Sequence, residues 1–326
     1  MLKTILTLGP ATESNESITS LLKVADRFRL NSSHMNYDDL NVWLQRLNNI
    51  FDYVGHEIPV VVDLQGSKMR IGKYNASSSI PDKVILTLGT DSSSSSEIPV
   101  PHEVLFRVLN SGDIIYLNDA KIILRVDTVE VGRVRATTLQ NGPLSSNKGL
   151  NRKNHPVPFH KLTEKDLSMI EQSKKYSFVE YAFSFVHDGT EIDKIRPFID
   201  NHKIIAKIER TEAVDNIEAI DKKFDEIWLC RGDLGAQAGI FKLGYLQDVF
   251  VSKIKNLKNE CFLAGQVLEH MTKFPEPTRS EIVHLYDTGK NGFKGIVLSD
   301  ETAIGENISS VANFLKNYNL NIRTQI

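Results

Sequence analysis

The stretch KIIAKIER, which covers residues 203 to 210, places Lys207 and Glu209 after an apolar run. The residues before them, Ile204 to Ala206, are apolar and mostly β-branched, as in parallel strands that are covered on both faces. Lys207 and Glu209 are two positions apart, so on a strand both point to the same face. Because burying two charges costs free energy unless partners offset it, the pair indicates either an internal ion pair or a site for a charged ligand.

Polar side chains follow several other apolar runs of the chain. Glu209 and Asp233 are hard oxygen ligands that suit Mg2+, with Mn2+ as the substitute ion. Arg29, Arg70 and Lys207 are cations of the kind that neutralise a phosphoryl group during its transfer. The Gly-Asp step of RGDLG presents backbone N–H groups that suit an anion such as a carboxylate. The polar segments are RLNSSH from Arg29, DLQGSKMR from Asp63, RGDLG from Arg231, AGQ from Ala264 and SDET from Ser299.

These patterns leave simpler interpretations open. Lys207 with Glu209 is equally compatible with an ion pair that fills a barrel interior, and Glu209 with Asp233 is compatible with a structural pair of acids. His34 beside Ser33 lacks a third partner, so we set a nucleophilic site aside. Phosphate-binding loops of the GxxxxGK[ST] or GxGxxG type do not occur in the sequence, so a nucleotide would be held in another way.

Short apolar runs alternate with amphipathic segments along most of the chain, and eight such pairs predict an α/β fold, a closed (β/α)8 TIM barrel. In such a barrel the catalytic groups lie at the C-terminal ends of the strands, where the polar segments above occur. The predicted strands are Thr4–Leu8, Phe28–Leu30, Val60–Asp63, Val179–Phe183, Ile204–Glu209, Glu226–Cys230, Cys261–Gly265 and Gly295–Ser299. The predicted helices are Ser17–Val24, Tyr37–Tyr53, Glu164–Tyr176, Thr190–Asn201, Glu212–Asp221, Tyr245–Asn259, Arg279–Thr288 and Ser309–Asn319.

One segment interrupts this alternation between the third strand and its helix. Residues 74 to 150 contain the short runs KVILTLG, VLFRVLN, DIIYLND, KIILRV and RVRATTLQNG, with Asn-Asp and Asn-Gly turn signals and no convincing helix. We therefore predict a small all-β domain, a β-barrel lid, inserted after the third strand of a barrel domain that comprises residues 1–73 and 151–326. An insertion at this end of a barrel strand belongs to the active-site face.

Composition narrows the class of protein. The 326 residues carry a formal net charge of -2 at pH 7, which gives no support for nucleic-acid or membrane-surface binding. Apolar runs long enough to span a bilayer are missing and the N-terminus lacks the layout of a secretory signal, so we expect a cytoplasmic protein. Cys230 and Cys261 lie in apolar runs without CxxC spacing, which predicts buried thiols rather than a disulfide or a zinc site.

Several motifs taken together resemble the pyruvate kinase family. KTILTLGPATES resembles the opening strand and Gly-Pro turn of that family, RLNSSH its Arg-Leu-Asn-Phe-Ser-His motif, and AKIERTEAVDNI its Lys-Ile-Glu catalytic motif. RGDLG, PEPTRSE and VLSDETAIG follow in the family's order and spacing, and IYLNDAKI and NKGLN match its lid domain. The resemblance covers essentially the whole chain, and the ordered set is far more specific than any single motif.

The resemblance implies Mg2+-dependent phosphoryl transfer between phosphoenolpyruvate and ADP, which gives pyruvate and ATP in glycolysis. It implies that Arg29 and Lys207 are catalytic and contact the substrate, with Arg29 on the transferred phosphate and Lys207 on the charge of the transition state. The other implied substrate contacts are Gly232, Asp233, Gly265 and Ser299, and the implied metal ligands are Glu209 and Asp233. The implied nucleotide contacts are Asn31, His34, Arg70 and Lys148, and the implied monovalent-cation pocket consists of Asn31, Ser33, Asp63 and Leu64.

The chain departs from the family pattern at four positions. Lys68 stands where the family has glutamate, and because its ammonium can take the place of a monovalent cation, we predict activity without K+. Gly265 replaces a threonine that supports protonation of the enolate, and losing such a group typically costs ~10²–10⁴-fold in rate. The space at Gly265 is also compatible with a bulkier substrate. Asp300 replaces a glycine, and His187 replaces an arginine.

Three functions stay open at this stage. The kinase is favoured because Lys148, Arg70 and the lid are retained, and a lyase needs no nucleotide contacts. The second is a Mg2+-dependent lyase that forms an enolate from a 2-keto acid, and the third is a non-catalytic homologue that binds phosphoenolpyruvate or a nucleotide.

The family's C-terminal regulatory domain has no counterpart in the sequence, so we expect neither control by sugar phosphates nor the tetramer contact made by that domain. A homo-oligomer of another kind stays open.

Overall fold

The computed structural model describes residues 2–66, 68–118, 120–152 and 161–323, without the side chains of His34, Ile322 and Arg323. The chain divides into two compact units. The first unit comprises Met1–Gly66, Lys161–Arg231 and Gly244–Ile326, and the second comprises Ser67–His160 and Gly232–Leu243. The inserted domain predicted over residues 74–150 lies within the second unit.

The strands and helices follow one another in the order that the sequence predicts for a barrel with an insertion. The strands are β1 (Lys3–Leu8), β2 (Arg27–Asn31), β3 (Val60–Leu64), β4 (Lys83–Leu88), β5 (Glu97–Val100), β6 (Ile114–Leu117), β7 (Ile122–Glu130), β8 (Arg133–Gln140), β9 (Leu150–Arg152), β10 (Val179–Phe183), β11 (Ile204–Ile208), β12 (Glu226–Cys230), β13 (Cys261–Ala264) and β14 (Gly295–Leu298). The helices are α1 (Asn15–Leu22), α2 (Tyr37–Val54), α3 (Glu103–Val108), α4 (Glu164–Ser173), α5 (Ile192–Ile199), α6 (Thr211–Asp215), α7 (Ile217–Asp221), α8 (Arg231–Ala238), α9 (Ile240–Ile254), α10 (Arg279–Lys290), α11 (Asp300–Ala303) and α12 (Ile308–Arg323).

The first unit contains a closed parallel barrel, in the order β1-β14-β13-β12-β11-β10-β3-β2. This confirms the predicted TIM barrel, and the eight predicted barrel strands differ from the observed ones by at most one residue at either end. The barrel forms because its strands are short and most of their side chains are buried, so that they can be covered on both faces. Its interior is filled by one side chain or two from most strands: Ile5, Val61, Ala182, Ile205, Trp228, Cys230, Phe262, Ala264 and Val297.

The second unit contains a six-stranded sheet in the order β5-β4-β8-β7-β6-β9, in which only β4 and β5 pair in parallel among the described strands. One prediction for this segment is wrong: the run VLFRVLN is not a strand, since Glu103–Val108 forms helix α3. The reason is the spacing of the apolar side chains, because Leu105, Phe106 and Leu109 are one, three and four positions apart and bury one helical face. A Glu103–Arg107 ion pair of 2.7 Å covers the exposed side of the same helix.

The helices between β11 and β13 differ from the predicted ones. The helix predicted over residues 212–221 is broken into α6 and α7 at Asn216, whose side-chain amide instead donates to the carbonyl oxygen of His187 at 3.2 Å. Helix α9 lies five residues earlier than predicted, because it starts directly after Gly239, whose φ of +89° ends the preceding helix. Helix α8 was not predicted, since two glycines in RGDLGAQA weaken any helical pattern.

A network of charges closes the N-terminal end of the barrel. Arg27 forms a two-pronged ion pair with the fully buried carboxylate of Glu226, with both N–O distances 2.7 Å. Lys203 and the indole N–H of Trp228 donate to the same carboxylate, at 2.6 and 2.7 Å. Glu180 completes the group at 3.1 Å from Arg27. Each of these four charges therefore has an opposite charge beside it, as buried charges require.

Two further features agree with the sequence. Both cysteines are free and buried. In the described part of the chain, none of the helices combines the length and the apolar character that crossing a bilayer demands.

Candidate active site

The two charges that end β11 are brought together at the C-terminal end of the barrel. Lys207 Nζ lies 3.1 Å from Glu209 Oε1, and both residues are buried, with 8% and 1% of their surfaces exposed. Glu209 lies one residue beyond the end of the strand, not within it as predicted. Its second oxygen accepts the backbone N–H of Phe185 at 2.7 Å. The carboxylate is thus fixed at both oxygens.

Asp63, at the end of β3, is the shared acceptor of this cluster. Its Oδ2 lies 3.1 Å from Lys207 Nζ and 2.6 Å from Arg29 Nη2. Burial alone would raise the pKa of Asp63, but the charges of Lys207 and Arg29 outweigh burial and hold that pKa below its ordinary value. Burial alone would lower the pKa of Lys207, but Asp63 and Glu209 raise it. The ammonium is therefore positively charged over the whole physiological pH range.

Two residues of the site were not found from the sequence. Ser184 Oγ accepts from Lys207 Nζ at 2.9 Å and donates to the carbonyl oxygen of Leu64, also at 2.9 Å. Phe185, which binds Glu209, has a φ of +61°, a region that bulky residues rarely occupy. Ser184 could have been found from the sequence, because it is a polar residue directly after the strand β10. Nothing in the sequence indicates the backbone contact of Phe185.

The residues of the predicted monovalent-cation pocket lie at the C-terminal ends of β2 and β3 and, for Ser33, just after β2. Asn31 Oδ1 accepts the Ser33 N–H at 3.3 Å, while Asp63 is occupied by Arg29 and Lys207 as described above. Ser32 Oγ donates to the Asp63 carbonyl oxygen at 2.6 Å and so joins the two loops. The side chain of His34 lies outside the described part of the structure. The structure brings Asn31, Ser33, Asp63 and Leu64 to the ends of two neighbouring strands, and their role with a cation stays a prediction.

The loop after β13 has an unusual backbone at Gly265. This residue has a φ of +92° and Gln266 a φ of +51°, so two consecutive residues are left-handed. Arg231 braces the loop, since its Nε and Nη2 donate to the Gly265 carbonyl oxygen at 2.9 and 2.6 Å. Burial lowers the pKa of Arg231 to about 10. At the end of β14, the Ser299 N–H donates to the buried Glu301 carboxylate at 2.7 Å.

The remaining predicted site residues belong to the second unit. Lys68 Nζ lies 2.6 Å from Asp233 Oδ1. Gly232 and Asp233 stand in the first turn of α8, where backbone N–H groups have no partner within the helix. Arg70 donates from Nη1 to the Asn147 carbonyl oxygen at 2.8 Å, and the Ile71 N–H donates to the Lys148 carbonyl oxygen at 3.0 Å. Arg70 and Lys148 therefore lie on neighbouring backbone segments.

One further group of possible metal ligands occurs among the described residues. Ligand atoms of His187, Asp188 and Glu191 all lie within 4.8 Å of one another. Both oxygens of Glu191 already accept backbone N–H groups, from His187 at 2.7 Å and from Gly189 at 3.0 Å. The proximity of these three side chains is therefore explained by Glu191, whose carboxylate caps the loop before α5.

Comparison with known proteins agrees with this arrangement. The family model for the pyruvate kinase barrel domain matches residues 1–311. Relatives named pyruvate kinase include those of Mycobacterium tuberculosis, 30% identical over 312 residues, and Thermococcus litoralis, 31% identical over 312 residues; each alignment covers 93% of this chain and 66% of the relative. The pyruvate kinase of Aeropyrum pernix is 30% identical over 314 residues, covering 93% of this chain and 67% of the relative. The chain thus spans about two thirds of the length of these relatives. With a matching barrel, matching motifs and a family model that covers nearly its whole length, this chain belongs to the pyruvate kinase family.

Proposed function

We propose that the chain catalyses phosphoryl transfer between phosphoenolpyruvate and ADP. The observation that supports it best is the buried cluster of Lys207, Arg29, Asp63 and Glu209 at the C-terminal end of the barrel. An ammonium and a guanidinium held in place in a water-poor site stabilise the charge of a transferring phosphoryl group without reorganising. In the proposed step the P–O bond of phosphoenolpyruvate breaks, a new P–O bond forms to ADP, and the enolate takes up a proton to give pyruvate.

The proposed roles follow from the partners of each side chain. Arg29 is fixed by Asp63 and by Thr7 Oγ1, at 2.9 Å from its Nη1, so its orientation is set before a phosphate arrives. Lys207 is fixed by three acceptors, Asp63, Glu209 and Ser184. We propose that Arg29 binds the transferred phosphate and that Lys207 stabilises its charge. Gly232, Asp233, Gly265 and Ser299 are the other proposed substrate contacts.

The proposed metal ligands are Glu209 and Asp233, and their chemistry fits Mg2+. Each is a carboxylate that pairs with a lysine ammonium in the structure, Glu209 with Lys207 and Asp233 with Lys68. Carboxylate oxygens are the hard ligands that Mg2+ takes from proteins, and Mn2+ accepts the same set. When bound, the ion would neutralise negative charge on the phosphoryl oxygens.

The nucleotide and monovalent-cation contacts are proposals of the same kind. Arg70 and Lys148 offer two cations on neighbouring segments, which suits the phosphates of ADP, and Asn31 and His34 complete the proposed set. Because Lys68 places an ammonium where the family has a carboxylate, we propose that K+ is not required. Otherwise identical assays at K+ concentrations that differ by about 100-fold test this proposal. Strict activation by K+ would exclude it.

The direct test supplies phosphoenolpyruvate, ADP and Mg2+ without K+ and follows pyruvate and ATP together. We expect both products in equal amounts. Lys207→Met should lower kcat by about 10²–10³-fold, since it removes one donor to the developing charge. Lys203→Met is the matched control: the same residue type lies at the opposite end of the same strand, paired with Glu226, and its loss should leave kcat unchanged. Equal kcat values for the two variants would refute the role of Lys207.

A second candidate is favoured by Gly265, which offers no hydroxyl for protonation of the enolate. In that case the chain binds phosphoenolpyruvate or a nucleotide without turnover. Binding of both ligands without pyruvate or ATP in the assay above would support this candidate. Turnover of a 2-keto acid without nucleotide would instead support the Mg2+-dependent lyase.

A further inference from the structure

Two consecutive residues in the first turn of α4 bind the loops that carry the site. Lys165 Nζ donates to the Ser33 carbonyl oxygen at 3.2 Å, in the loop after β2. Asp166 accepts the N–H groups of Gln65 and Gly66, at 2.9 and 3.2 Å, in the loop after β3. One dipeptide on one helix therefore contacts both loops, although the partners are some hundred residues away in the sequence.

The turn at Gln65 and Gly66 is held from both sides. On one side lies the Asp166 carboxylate, and on the other lies the backbone of Ser184. Gly66 has a φ of +60°, and a Cβ atom built on it would lie 2.3 Å from the Ser184 carbonyl oxygen. This close approach and the positive φ both require glycine. The turn thus has little freedom to move relative to the end of β10.

These contacts lead directly to the reacting groups. The clamped turn follows Asp63 and Leu64 immediately, and Ser184 binds both the Leu64 carbonyl oxygen and Lys207 Nζ. The loop after β2 is tied to Asp63 through Ser32. A shift of the turn would therefore move Asp63, which orients Arg29 and Lys207.

The buried Asp166 carboxylate destabilises the fold. It is fully buried, and burial raises its pKa to about 6, although hydrogen bonds from Thr163, Gln65 and Gly66 lower it. An ionised carboxylate in such a place costs stability that a neutral side chain of similar shape would not. Its hydrogen bonds fix backbone geometry instead, which is what a positioning role needs.

We propose that Lys165 and Asp166 are positioning residues, which fix the loops after β2 and β3 and thereby the placement of Asp63 between Arg29 and Lys207. The effect on catalysis rests on the proposed phosphoryl transfer, whereas the effect on the loops does not. Neither residue touches the reacting atoms in this proposal; both act through the backbone of residues 33 and 64–66.

The test compares Asp166→Asn with Asp221→Asn in the full chain. Asp221 is a matched control, because its buried carboxylate likewise accepts two backbone N–H groups, from Lys258 and Asn259 at 2.9 and 3.0 Å, in a loop that carries none of the proposed site residues. Amide hydrogen exchange at pH 7 is the first readout. Losing one of these hydrogen bonds is worth roughly 1 kcal/mol, so we expect Gln65 and Gly66 to exchange about fivefold faster in Asp166→Asn and unchanged in Asp221→Asn.

Steady-state kinetics are the second readout. We expect kcat to fall about tenfold in Asp166→Asn with the KM for ADP within about twofold of the wild type, because geometry is lost rather than a ligand contact. Asp221→Asn should change neither. Lys165→Met should lower kcat in the same way, and Lys165→Arg, which keeps a donor, should restore it.

The two readouts separate the two proposals. If the wild-type chain forms no ATP, the proposed function fails, and the exchange of Gln65 and Gly66 still decides whether Asp166 fixes the turn. If ATP forms but exchange and kcat in Asp166→Asn match those in Asp221→Asn, the positioning role is excluded. Exchange that increases equally in both variants would show general loosening and would likewise overturn the proposal.

Discussion

Asp63 is the side chain on which the charge balance of the site depends. It shares one oxygen between Arg29 and Lys207, and Lys207 is in turn shared with Glu209. Two cations and two carboxylates, all buried except the partly buried Arg29, are therefore held together with no net charge among them. Since an unpaired buried charge is far more costly than a paired one, each member of the cluster is retained by its neighbours. An arriving phosphate or metal ion would compete with these pairs, so ligand binding and site geometry are linked.

At the same scale, the backbone of Gly265 gives a prediction about its replacement. With a φ of +92°, any residue that carries a Cβ is strained at this position. We expect Gly265→Ala to lower the free energy of unfolding by about 1–2 kcal/mol, measured by urea unfolding. The same strain applies more strongly to Gly265→Thr, so restoring the family's threonine should not raise the rate of pyruvate formation by itself.

Gly244→Ala provides the control, with the opposite sign. Gly244 lies on an exposed surface within α9, and a Cβ atom built on it meets nothing within 4 Å. Alanine is favoured over glycine in a helix by about 0.5–1 kcal/mol, so this variant should be as stable as the wild type or more stable. Equal effects of the two substitutions would contradict the argument from φ.

Asp166 gives a prediction about pH. Its folded-state pKa of about 6 lies above its ordinary value of 3.8, so the folded chain keeps this proton to a higher pH than the unfolded chain. Between about pH 4 and 6 the free energy of unfolding therefore decreases as pH rises, by up to ~3 kcal/mol from this group. Above pH 6 both states are ionised, and the whole cost of the buried charge remains.

Asp166→Asn lacks this titration and isolates it from all other groups. The stability of the Asn variant minus that of the wild type should become more positive from pH 4 to pH 7, as measured by urea unfolding at both pH values. A constant difference for Asp166→Asn would mean that this carboxyl group titrates normally.

At the scale of elements, the start of α10 depends on a capping box. Thr278 Oγ1 accepts the Glu281 N–H at 3.2 Å, and the Glu281 carboxylate accepts the Thr278 N–H at 2.7 Å. Glu281 also accepts the His270 N–H at 2.9 Å, so the box ties the helix to the segment before it. Thr278→Ala should lower the free energy of unfolding by about 1 kcal/mol in urea unfolding. Thr278→Ser retains the hydroxyl and should cost clearly less; an equal cost would assign the effect to the lost methyl group.

Strands and helices were predictable from the sequence where the burial of apolar side chains alone determines them. The strand Val179–Phe183 is apolar except for Glu180, as a covered strand is, and its bounds agree with the prediction. Helix α3 was predicted as a strand because Val104 and Val108 are β-branched, and local preference favoured the wrong element. Helix α9 was placed too late because its first turn, with Ile240 and Phe241 exposed, has no apolar face turned inward.

The candidate site was predictable only where side chains themselves carry the chemistry. Lys207 and Glu209 stand out because charges are rare in a buried strand. The contacts of Asp166 and Phe185 are made with or by backbone groups far away in the sequence, and neither residue type indicates them. The Thr163 hydroxyl accepts the Asp166 N–H at 3.0 Å, as an ordinary helix cap does, whereas the Asp166 carboxylate binds the distant residues Gln65 and Gly66.

At the scale of the whole barrel, charges lie at both ends of an apolar interior. Lys207, Asp63 and Glu209 lie at the C-terminal end, and Arg27 and Glu226 lie at the N-terminal end. Between them lie apolar side chains such as Trp228 and Phe262. Strand ends at the C-terminal face carry the chemistry of such barrels, whereas the opposite end serves stability. The two polar groups should therefore respond differently to substitution, one in rate and the other in stability.

The pair Arg27 and Glu226 allows that difference to be measured by a double-mutant cycle. Removing Glu226 alone, as Glu226→Met, leaves Arg27 buried with its main partner gone, which typically costs about 3–5 kcal/mol. Removing both, as Arg27→Met with Glu226→Met, takes away the guanidinium together with its main partner, so the double variant should cost less than the sum of the single ones by about 1–3 kcal/mol in urea unfolding. The partly exposed pair Lys3–Glu260, at 2.6 Å, is the control, and its coupling should stay below about 1 kcal/mol. Equal coupling in the two cycles would show that burial does not strengthen the pair, whereas a large coupling at Arg27 and Glu226 with unchanged kcat would assign this end of the barrel to stability alone.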